Sequence, residues 1–149
     1  MQISSWLTLK RKVKFGECDS ADVIHFHNLF RWAHESWEES LELYGIPYHE
    51  IFPNSKSRQN TLIPIINSEG KFFSPIRLGD TLDIKIMPIK LNNHLFQVET
   101  SFYLQNMKVA ETKISHCAIG FDSHNKVNIP LKLERWIEAS NIKDAIEEC

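Results

Sequence analysis

Apolar residues recur at spacings of three and four over residues 28–44, the one long helical pattern in the chain. A single apolar face is marked by Leu29, Ala33, Trp37, Leu41 and Tyr44. Arg31 and Glu35 stand one helical turn apart, where opposite charges stabilise a helix. Gly45 and Pro47 follow, and both are typical of helix ends because Gly suits the C-cap and Pro cannot continue a helix. We therefore predict a helix over about 28–44.

Five other stretches are typical of strands, namely residues 6–15, 61–73, 81–91, 94–104 and 108–121. Apolar and polar residues alternate along 81–91, so we expect that strand to show one face to solvent or to a ligand. Asn92-Asn93 and Gln105-Asn106 are candidates for tight hairpins, because Asn tolerates the left-handed turn conformation. A short amphipathic helix is predicted over about 130–139.

The order of these elements is one strand, one long helix and then several antiparallel strands. A helix with one apolar face needs a sheet to cover it, and the later strands supply that sheet. We therefore predict an α+β fold in which an antiparallel sheet wraps around one central helix. The remaining sheet edge and the second side of the helix are natural contacts with further copies, so we expect a homodimer or a homotetramer.

Composition narrows the classes of function. With 149 residues, 42% of them hydrophobic, the chain fits a single domain over 1–149. The formal net charge of -2 provides no basic surface for nucleic acid. No apolar run approaches the roughly 20 residues of a membrane span, and no signal peptide opens the chain. The three cysteines, Cys18, Cys117 and Cys149, lack metal or redox spacing, so we expect a cytoplasmic protein without a metal or a cofactor.

The chemically informative segment covers residues 15–32, where a strand end, a loop with carboxylates and a helix start follow one another. The unpaired N–H groups at a helix start carry partial positive charge and can stabilise an oxyanion. A carboxylate just upstream, such as Asp19, can attack a carbonyl or take a proton from water. The segment therefore contains both parts of an acyl-transfer site.

This segment, "FGECDSADVIHFHNLFRW", resembles the signature of the 4-hydroxybenzoyl-CoA thioesterase family of hot-dog proteins. "HESWEESL" and "PIRLGDTLDIKI" are also similar to this family, so the resemblance covers most of the chain. It implies a hot-dog fold and hydrolysis of an acyl-CoA thioester. Carried over by position, the catalytic carboxylate of the family falls on Asp19, its oxyanion-hole amide on Phe26, and the Asn of its first helical turn on Asn28.

Within the family, the segment His34–Glu38 and His116 are most similar to members of phylloquinone and menaquinone synthesis, which act on a bicyclic aromatic acyl-CoA. The resemblance makes His25 and Asn28 candidates for binding the substrate. Coenzyme A also needs positive groups for its phosphates, and Arg suits that geometry. The candidates are Arg77, which we prefer, and Arg58, Lys90 and Lys108.

The chain departs from the family pattern at three places near the site. Asp22 stands where Gly is usual, His27 where Pro is often found, and Leu29 where an aromatic residue is common. These departures affect the expected shape of the acyl pocket and leave Asp19 in place. Glu17 and Asp22 are interpreted as solvated loop charges.

Other interpretations stay open at this point. The role of Asp19 is either that of a nucleophile or that of a general base. A non-catalytic acyl-CoA binding module would keep the pocket without turnover, and a hot-dog dehydratase would use a catalytic His. Zinc coordination by His25 and His27 with the nearby carboxylates matches no known ligand spacing. His116 is expected to be a core residue, and Cys18 lacks a partner for nucleophilic catalysis.

Overall fold

Helix α1 (His27–Tyr44) packs on a five-stranded antiparallel sheet in the computed structural model, which describes residues 5–147 and their side chains as far as residue 142. The ends of the predicted 1–149 domain, including Cys149, lie outside the described residues. The strands are β1 (Thr8–Lys12), β2 (Thr61–Leu62), β3 (Ile65–Phe72), β4 (Thr81–Lys90), β5 (Leu95–Leu104), β6 (Met107–Cys117) and β7 (Ile119–Gly120).

The sheet has the strand order β1-β4-β5-β6-β3, and the short strands β2 and β7 pair separately. A second helix, α2 (Leu131–Glu147), packs beside β4. This arrangement confirms the predicted α+β fold, with an antiparallel sheet against one long helix.

The core lies between α1 and the sheet, and its largest fully buried side chains include Trp32, Trp37, Trp136, Phe96 and Phe102. Burial of a large apolar side chain stabilises the fold by roughly 2 kcal/mol. Along β4 buried residues alternate with more exposed ones, as predicted. The indole N–H of Trp136 on α2 donates to Ser40 Oγ on α1 at 3.2 Å, so both helices belong to one core.

Backbone conformation confirms two of the predicted turn sites. Gly45 ends α1 at φ +116°, and its N–H donates to the Leu41 and Glu42 carbonyls. Gln105 and Asn106 adopt φ +50° and +66° between β5 and β6, which is the left-handed conformation expected for a tight hairpin.

Four element boundaries were predicted wrongly. The strand over 6–15 is limited to Thr8–Lys12, with short 3-10 helices at Ser5–Leu7 and Phe15–Glu17 on either side. The strand over 61–73 is divided into β2 and β3 around Pro64, with a bulge after Ile65, and the strand over 108–121 is divided into β6 and β7. The helix over 130–139 extends to Glu147, because Asn141 Nδ2 bonds to the Pro88 carbonyl at 3.1 Å and holds the extra turns against β4.

The two edges of the large sheet differ in character. β1 is short and contains Lys10, Arg11 and Lys12, and charged residues of this kind protect an edge from pairing with another chain. β3 has eight residues, all exposed, and its apolar members include Ile65, Ile66 and Phe72. Separately, no helix within residues 5–147 has the length and apolar character needed to cross a membrane.

Candidate active site

The loop that carries Asp19 is closed by short backbone contacts. Cys18 and Ile24 form an antiparallel bridge, and the Asp19 N–H donates to the Val23 carbonyl at 2.8 Å. The Asp19 carboxylate accepts hydrogen bonds from the N–H groups of Ala21 at 2.8 Å and Val23 at 3.4 Å. Both bonds reach Oδ1, and the side chain is exposed, so Oδ2 points away from these loop amides and is available for chemistry.

The backbone conformation of Asp22 explains how this position accommodates Asp where the family pattern has Gly. Its φ of +62° lies in the left-handed region, where Gly is the favoured residue and Asp is tolerated. The turn therefore keeps the conformation that a Gly would take. The Asp22 carboxylate lies 3.7 Å from Arg77 Nη1, which also approaches the Asp22 carbonyl at 3.4 Å.

Glu17 is buried, so its interpretation as a solvated loop charge was wrong. Its carboxylate accepts hydrogen bonds from Arg11 Nη2 at 2.8 Å, the Lys14 N–H at 2.8 Å and the Trp32 indole N–H at 2.7 Å. Burial acts to raise the pKa of Glu17, but these three donors and the charge of Arg11 outweigh it and hold the pKa below its usual value. Glu17 is thus a buried carboxylate that stays ionised.

The backbone carbonyl of Glu17 ties the loop to the start of α1. It accepts the His25 N–H at 2.9 Å and the Asn28 side-chain amide at 2.9 Å. Asn28 is buried, and this bond gives it a structural role between the loop and the helix. The prediction that Asn28 binds substrate stays a prediction.

The start of α1 leaves a backbone donor available beside this loop. The Asn28 and Leu29 N–H groups bond back to the His25 and Phe26 carbonyls, at 3.0 and 3.2 Å. The Phe26 N–H, in contrast, donates to no acceptor in the described part of the chain, and no side chain caps the helix. A donor in this position can stabilise an oxyanion, as the sequence predicted for Phe26.

Two cavities open along the loop of residues 18–26. One has a volume of about 660 Å³ and is lined by Asp19 and His25, with the exposed apolar side chains Phe15 and Leu78 at its rim. The other has a volume of about 410 Å³, is mainly apolar, and is lined by Phe26, Phe72, Phe73 and Ile76 among others. The Ile24 N–H donates to the Ile76 carbonyl at 3.0 Å and so joins the loop to the wall of the second cavity.

The structure brings all five predicted site residues to one region, although Asn28 is buried and lines neither cavity. Asp19 and His25 share the larger cavity, Phe26 lines the smaller one, and Arg77 contacts Asp22 on the same loop. Two of the other candidates for binding phosphate, Lys90 and Lys108, are engaged in ion pairs elsewhere. Lys90 forms an ion pair with Glu134 and Lys108 with Glu111. The hydrogen bond with Glu111 raises the pKa of Lys108.

Cys18 lines the larger cavity but is poorly suited to nucleophilic catalysis. Its partial burial and the nearby charges of Asp22, Glu17 and Asp19 raise the pKa of the thiol, which disfavours the reactive thiolate. Within residues 5–142, no three His, Cys, Asp or Glu side chains cluster in a way that could hold a metal ion.

His116 is a core residue, as predicted. Its imidazole is buried, stacks on Phe96 with ring centroids 5.0 Å apart, and lies 4.5 Å from the Trp37 ring. Burial is the main reason that the pKa of His116 is lowered to about 4, with a smaller contribution from His34. The imidazole is therefore neutral at physiological pH.

Reasoning from the sequence missed the support that Glu17 gives to the loop. Its partners Arg11 and Trp32 come from β1 and α1, and no local spacing connects them with Glu17. The only signal in the sequence for a role of Glu17 was its position, two residues before Asp19.

The sequence matches the thioesterase-like superfamily over residues 13–137. It is 61% identical over 150 residues to 1,4-dihydroxy-2-naphthoyl-CoA hydrolase from Prochlorococcus marinus subsp. pastoris, with 100% of each chain covered. It is 39% identical to the protein of the same name from Synechococcus sp. (strain WH7803), with 93% of each chain covered.

Two solved structures extend this similarity to the fold. A crystal structure from Prochlorococcus marinus is 42% identical, with a TM-score of 0.91 over 94% of this chain and 99% of the other. A 1,4-dihydroxy-2-naphthoyl-CoA thioesterase from Synechocystis is 21% identical and has the same fold, with a TM-score of 0.80 over 88% of this chain and 94% of the other. These matches confirm the predicted hot-dog fold, and the chain belongs to the thioesterase-like superfamily.

Proposed function

We propose that this protein is an acyl-CoA thioesterase that hydrolyses 1,4-dihydroxy-2-naphthoyl-CoA with Asp19 as its catalytic carboxylate. The observation that carries the substrate is the relative of that name, which is 61% identical over the full length of both chains. The chemistry is supported by the exposed Asp19 carboxylate on a closed loop, followed by the Phe26 N–H at the start of α1, which has no acceptor among residues 5–147.

The Phe26 N–H and the Asp19 carboxylate act on different atoms of the thioester carbonyl. The carbonyl oxygen of the thioester accepts a hydrogen bond from the Phe26 N–H, where the positive end of the α1 dipole stabilises the developing negative charge. Asp19 acts on the carbonyl carbon from the adjoining cavity. His25 lines that cavity and contacts the substrate there.

Two routes of hydrolysis use this arrangement. In the first, the Asp19 carboxylate attacks the acyl carbon, the C–S bond breaks, the CoA thiolate takes up a proton, and water then hydrolyses the resulting anhydride. In the second, Asp19 takes a proton from a water molecule whose oxygen attacks the acyl carbon directly, the C–S bond breaks, and the CoA thiolate leaves and takes up the proton. Rapid quenching of a single turnover distinguishes them, because only the first route leaves the acyl group covalently bound to the enzyme.

The smaller cavity is suited to the aromatic acyl group. Its volume is about 410 Å³, its lining is mainly apolar, and it contains the rings of Phe26, Phe72 and Phe73. Aromatic rings favour offset-stacked and edge-to-face contacts with a flat bicyclic ligand. The cavity therefore holds the acyl group beside the Phe26 N–H.

The functional assembly is a homodimer that pairs β3 with β3 of a second copy, alone or as half of a homotetramer. β3 is a long edge strand with exposed apolar side chains, including Ile66 at 57% and Phe72 at 45% exposure. Such an edge is a template for pairing with another chain. A two-fold axis that keeps both helices on one face of a continuous sheet makes the two β3 strands antiparallel.

The test is the release of free thiol from a panel of aromatic and aliphatic acyl-CoAs by wild type and Asp19→Asn. We expect the naphthoyl thioester to be hydrolysed fastest and the variant to lose roughly 10²–10⁴-fold in rate. Glu39→Gln, which neutralises an exposed carboxylate on α1, is the matched control. Equal rates in wild type and Asp19→Asn would remove Asp19 from the mechanism, and tight binding without thiol release would indicate a binding module.

A further inference from the structure

A third cavity lies outside the candidate active site. It has a volume of about 400 Å³ and is formed by residues 53–59 together with Leu62 and Phe121. Two of its residues, Lys56 and Arg58, are cationic and exposed. Because the whole chain has a net charge of -2, binding of an anion depends on local cationic groups such as this pair.

Side-chain bonds to the backbone fix the shape of this loop. The His49 carbonyl accepts hydrogen bonds from Asn54 Nδ2 at 3.0 Å and Gln59 Nε2 at 2.6 Å. Asn54 Oδ1 accepts the N–H groups of Lys56 at 2.7 Å and Ser57 at 3.1 Å. The backbone is therefore held in place while the cationic ends of the side chains stay in solvent, which lowers the entropic cost of binding an anion.

The neighbours of Arg58 fix the position of its guanidinium group but leave most of its hydrogen-bond donors available. Its guanidinium lies over the Phe121 ring at 4.5 Å, a cation–π contact that holds it at the cavity. One of its nitrogens, Nη2, lies 3.1 Å from the Asp122 carboxylate, whose side chain is 88% exposed. An ion pair with so exposed a partner is weak, and the remaining N–H groups of Arg58 stay available for a phosphate.

The proposed dimer places this cavity next to the active site of the other subunit. Residues 53–59 lie just before β2 and β3, whereas Phe72 at the end of β3 lines the acyl cavity. When two β3 strands pair antiparallel, the start of one lies beside the end of the other. The loop of one copy therefore approaches the acyl cavity of the second copy.

We propose that Lys56 and Arg58 bind the phosphate groups of coenzyme A, and that each copy supplies this site to the Asp19 of the other copy. The inference rests on the proposed function and names the residues that recognise the nucleotide end of its substrate. Arg77, paired with Asp22 on the catalytic loop, is placed at the thioester end instead.

The first test measures the dissociation constant of free coenzyme A by calorimetry for wild type, Arg58→Ala and Arg135→Ala. Arg135 is an exposed arginine on α2 and serves as the matched control. We expect Arg58→Ala to weaken binding roughly tenfold, because a charge-assisted bond to phosphate is lost, and Arg135→Ala to bind like wild type. Arg58→Lys should restore part of the affinity, which also shows that the substituted loop still folds.

The same variants are compared on an S-acylpantetheine, which lacks the nucleotide. We expect kcat/KM for this substrate to be the same in wild type and Arg58→Ala. Unchanged affinity for coenzyme A in Arg58→Ala would overturn the proposal, and so would an equal loss with the pantetheine substrate. If wild type binds coenzyme A through Arg58 but releases no thiol, the phosphate site stands and the proposed function fails.

The second test asks whether the site is shared between copies. Asp19→Asn and Arg58→Ala chains are co-expressed, so that half of the dimers are mixed and about a quarter of all sites combine an intact Asp19 with an intact Arg58 from the other chain. We expect thiol release at low substrate concentration to exceed that of either variant alone. No gain over the two separate variants would show that Arg58 acts within its own copy.

Discussion

The indole N–H of Trp32 donates to the Glu17 carboxylate at 2.7 Å, so a core residue of α1 supports the loop that carries Asp19. The same carboxylate accepts a hydrogen bond from Arg11 of β1, and the Glu17 backbone carbonyl accepts one from the His25 N–H. One residue thereby connects a strand, a helix and the catalytic loop. This connection joins the Asp19 loop to the start of α1, where Phe26 lies.

Glu17→Gln should therefore impair both stability and catalysis. The amide keeps the size of the side chain but loses the negative charge that pairs with Arg11 and strengthens the hydrogen bond from Trp32. We expect the free energy of unfolding to fall by about 2 kcal/mol. Turnover should also fall, because the Asp19 loop loses its support. Urea unfolding and thiol release check the two effects. Stability and turnover equal to those of Glu39→Gln would contradict the prediction.

Phe26→Pro isolates the contribution of a single N–H group. The φ of Phe26 is -55°, which proline adopts, and the N–H it removes has no acceptor within the described residues. We expect turnover to fall roughly 10²–10³-fold, the cost of losing one oxyanion donor, with little change in the melting temperature. Phe26→Ala keeps the N–H and controls for the lost ring. Similar turnover in the two variants would exclude the Phe26 N–H from the oxyanion hole.

Substitutions at Asp22 test whether the turn needs the left-handed conformation. Asp22→Gly and Asp22→Ala both remove the carboxylate and its contact with Arg77, but only Gly adopts a φ of +62° without strain. We expect Asp22→Ala to be less stable than Asp22→Gly by roughly 1 kcal/mol. Thermal unfolding of the two variants, side by side, provides the comparison. A more stable Ala variant would mean that another conformation of the turn is accessible.

His116 should make the protein less stable as the pH falls from 6.5 towards 4. The pKa of His116 is lowered from 6.5 to about 4 in the folded chain, so in this range the unfolded chain binds a proton that the folded chain does not. The loss of stability should approach roughly 3 kcal/mol near pH 4. His116→Phe keeps a ring on Phe96 and should remove this slope.

The free energy of urea unfolding, measured at several pH values, checks this prediction. Glu17 has a lowered pKa, so its contribution to stability is lost only as the pH falls below its usual value of 4.5. The two effects therefore overlap only below about pH 4.5. An identical slope between pH 6.5 and 5 in wild type and His116→Phe would show that His116 does not cause it.

Ile66→Lys tests the pairing of β3 between copies. A lysine on this edge introduces charge where apolar side chains should meet, and we expect the dimer to dissociate and thiol release to fall. Met107→Lys is a matched control, since Met107 is 56% exposed and Ile66 57%. Sedimentation equilibrium measures the mass of both variants. A dimer that survives Ile66→Lys and dissociates with Met107→Lys would place the interface elsewhere.

The extent of α1 could be predicted because its apolar period and its Gly45 terminus are local features of the sequence. Asp19 and Phe26 were identified by resemblance. The structure adds the loop amides that bond to Asp19, and a Phe26 N–H without an acceptor in the part of the chain that it describes. Their roles in catalysis stay predictions.

Other features depend on contacts between distant segments and had no local pattern. Glu17 looked like a solvated charge because its partners lie in β1 and α1. The extension of α2 depends on the bond from Asn141 to the Pro88 carbonyl in β4. The strand over 61–73 is divided around Pro64, and β3 has a bulge after Ile65, where its pairing with β6 shifts by one residue. Each of these needed the tertiary structure.

The stacking of His116 between Phe96 and Trp37 has a spectroscopic consequence. Two aromatic ring currents act on the imidazole protons, at centroid distances of 5.0 and 4.5 Å. Their proton magnetic resonances are therefore displaced from those of the solvent-exposed histidines. The core between α1 and the sheet thus contains its own label, visible in a one-dimensional spectrum, that reports whether a variant has kept its native packing.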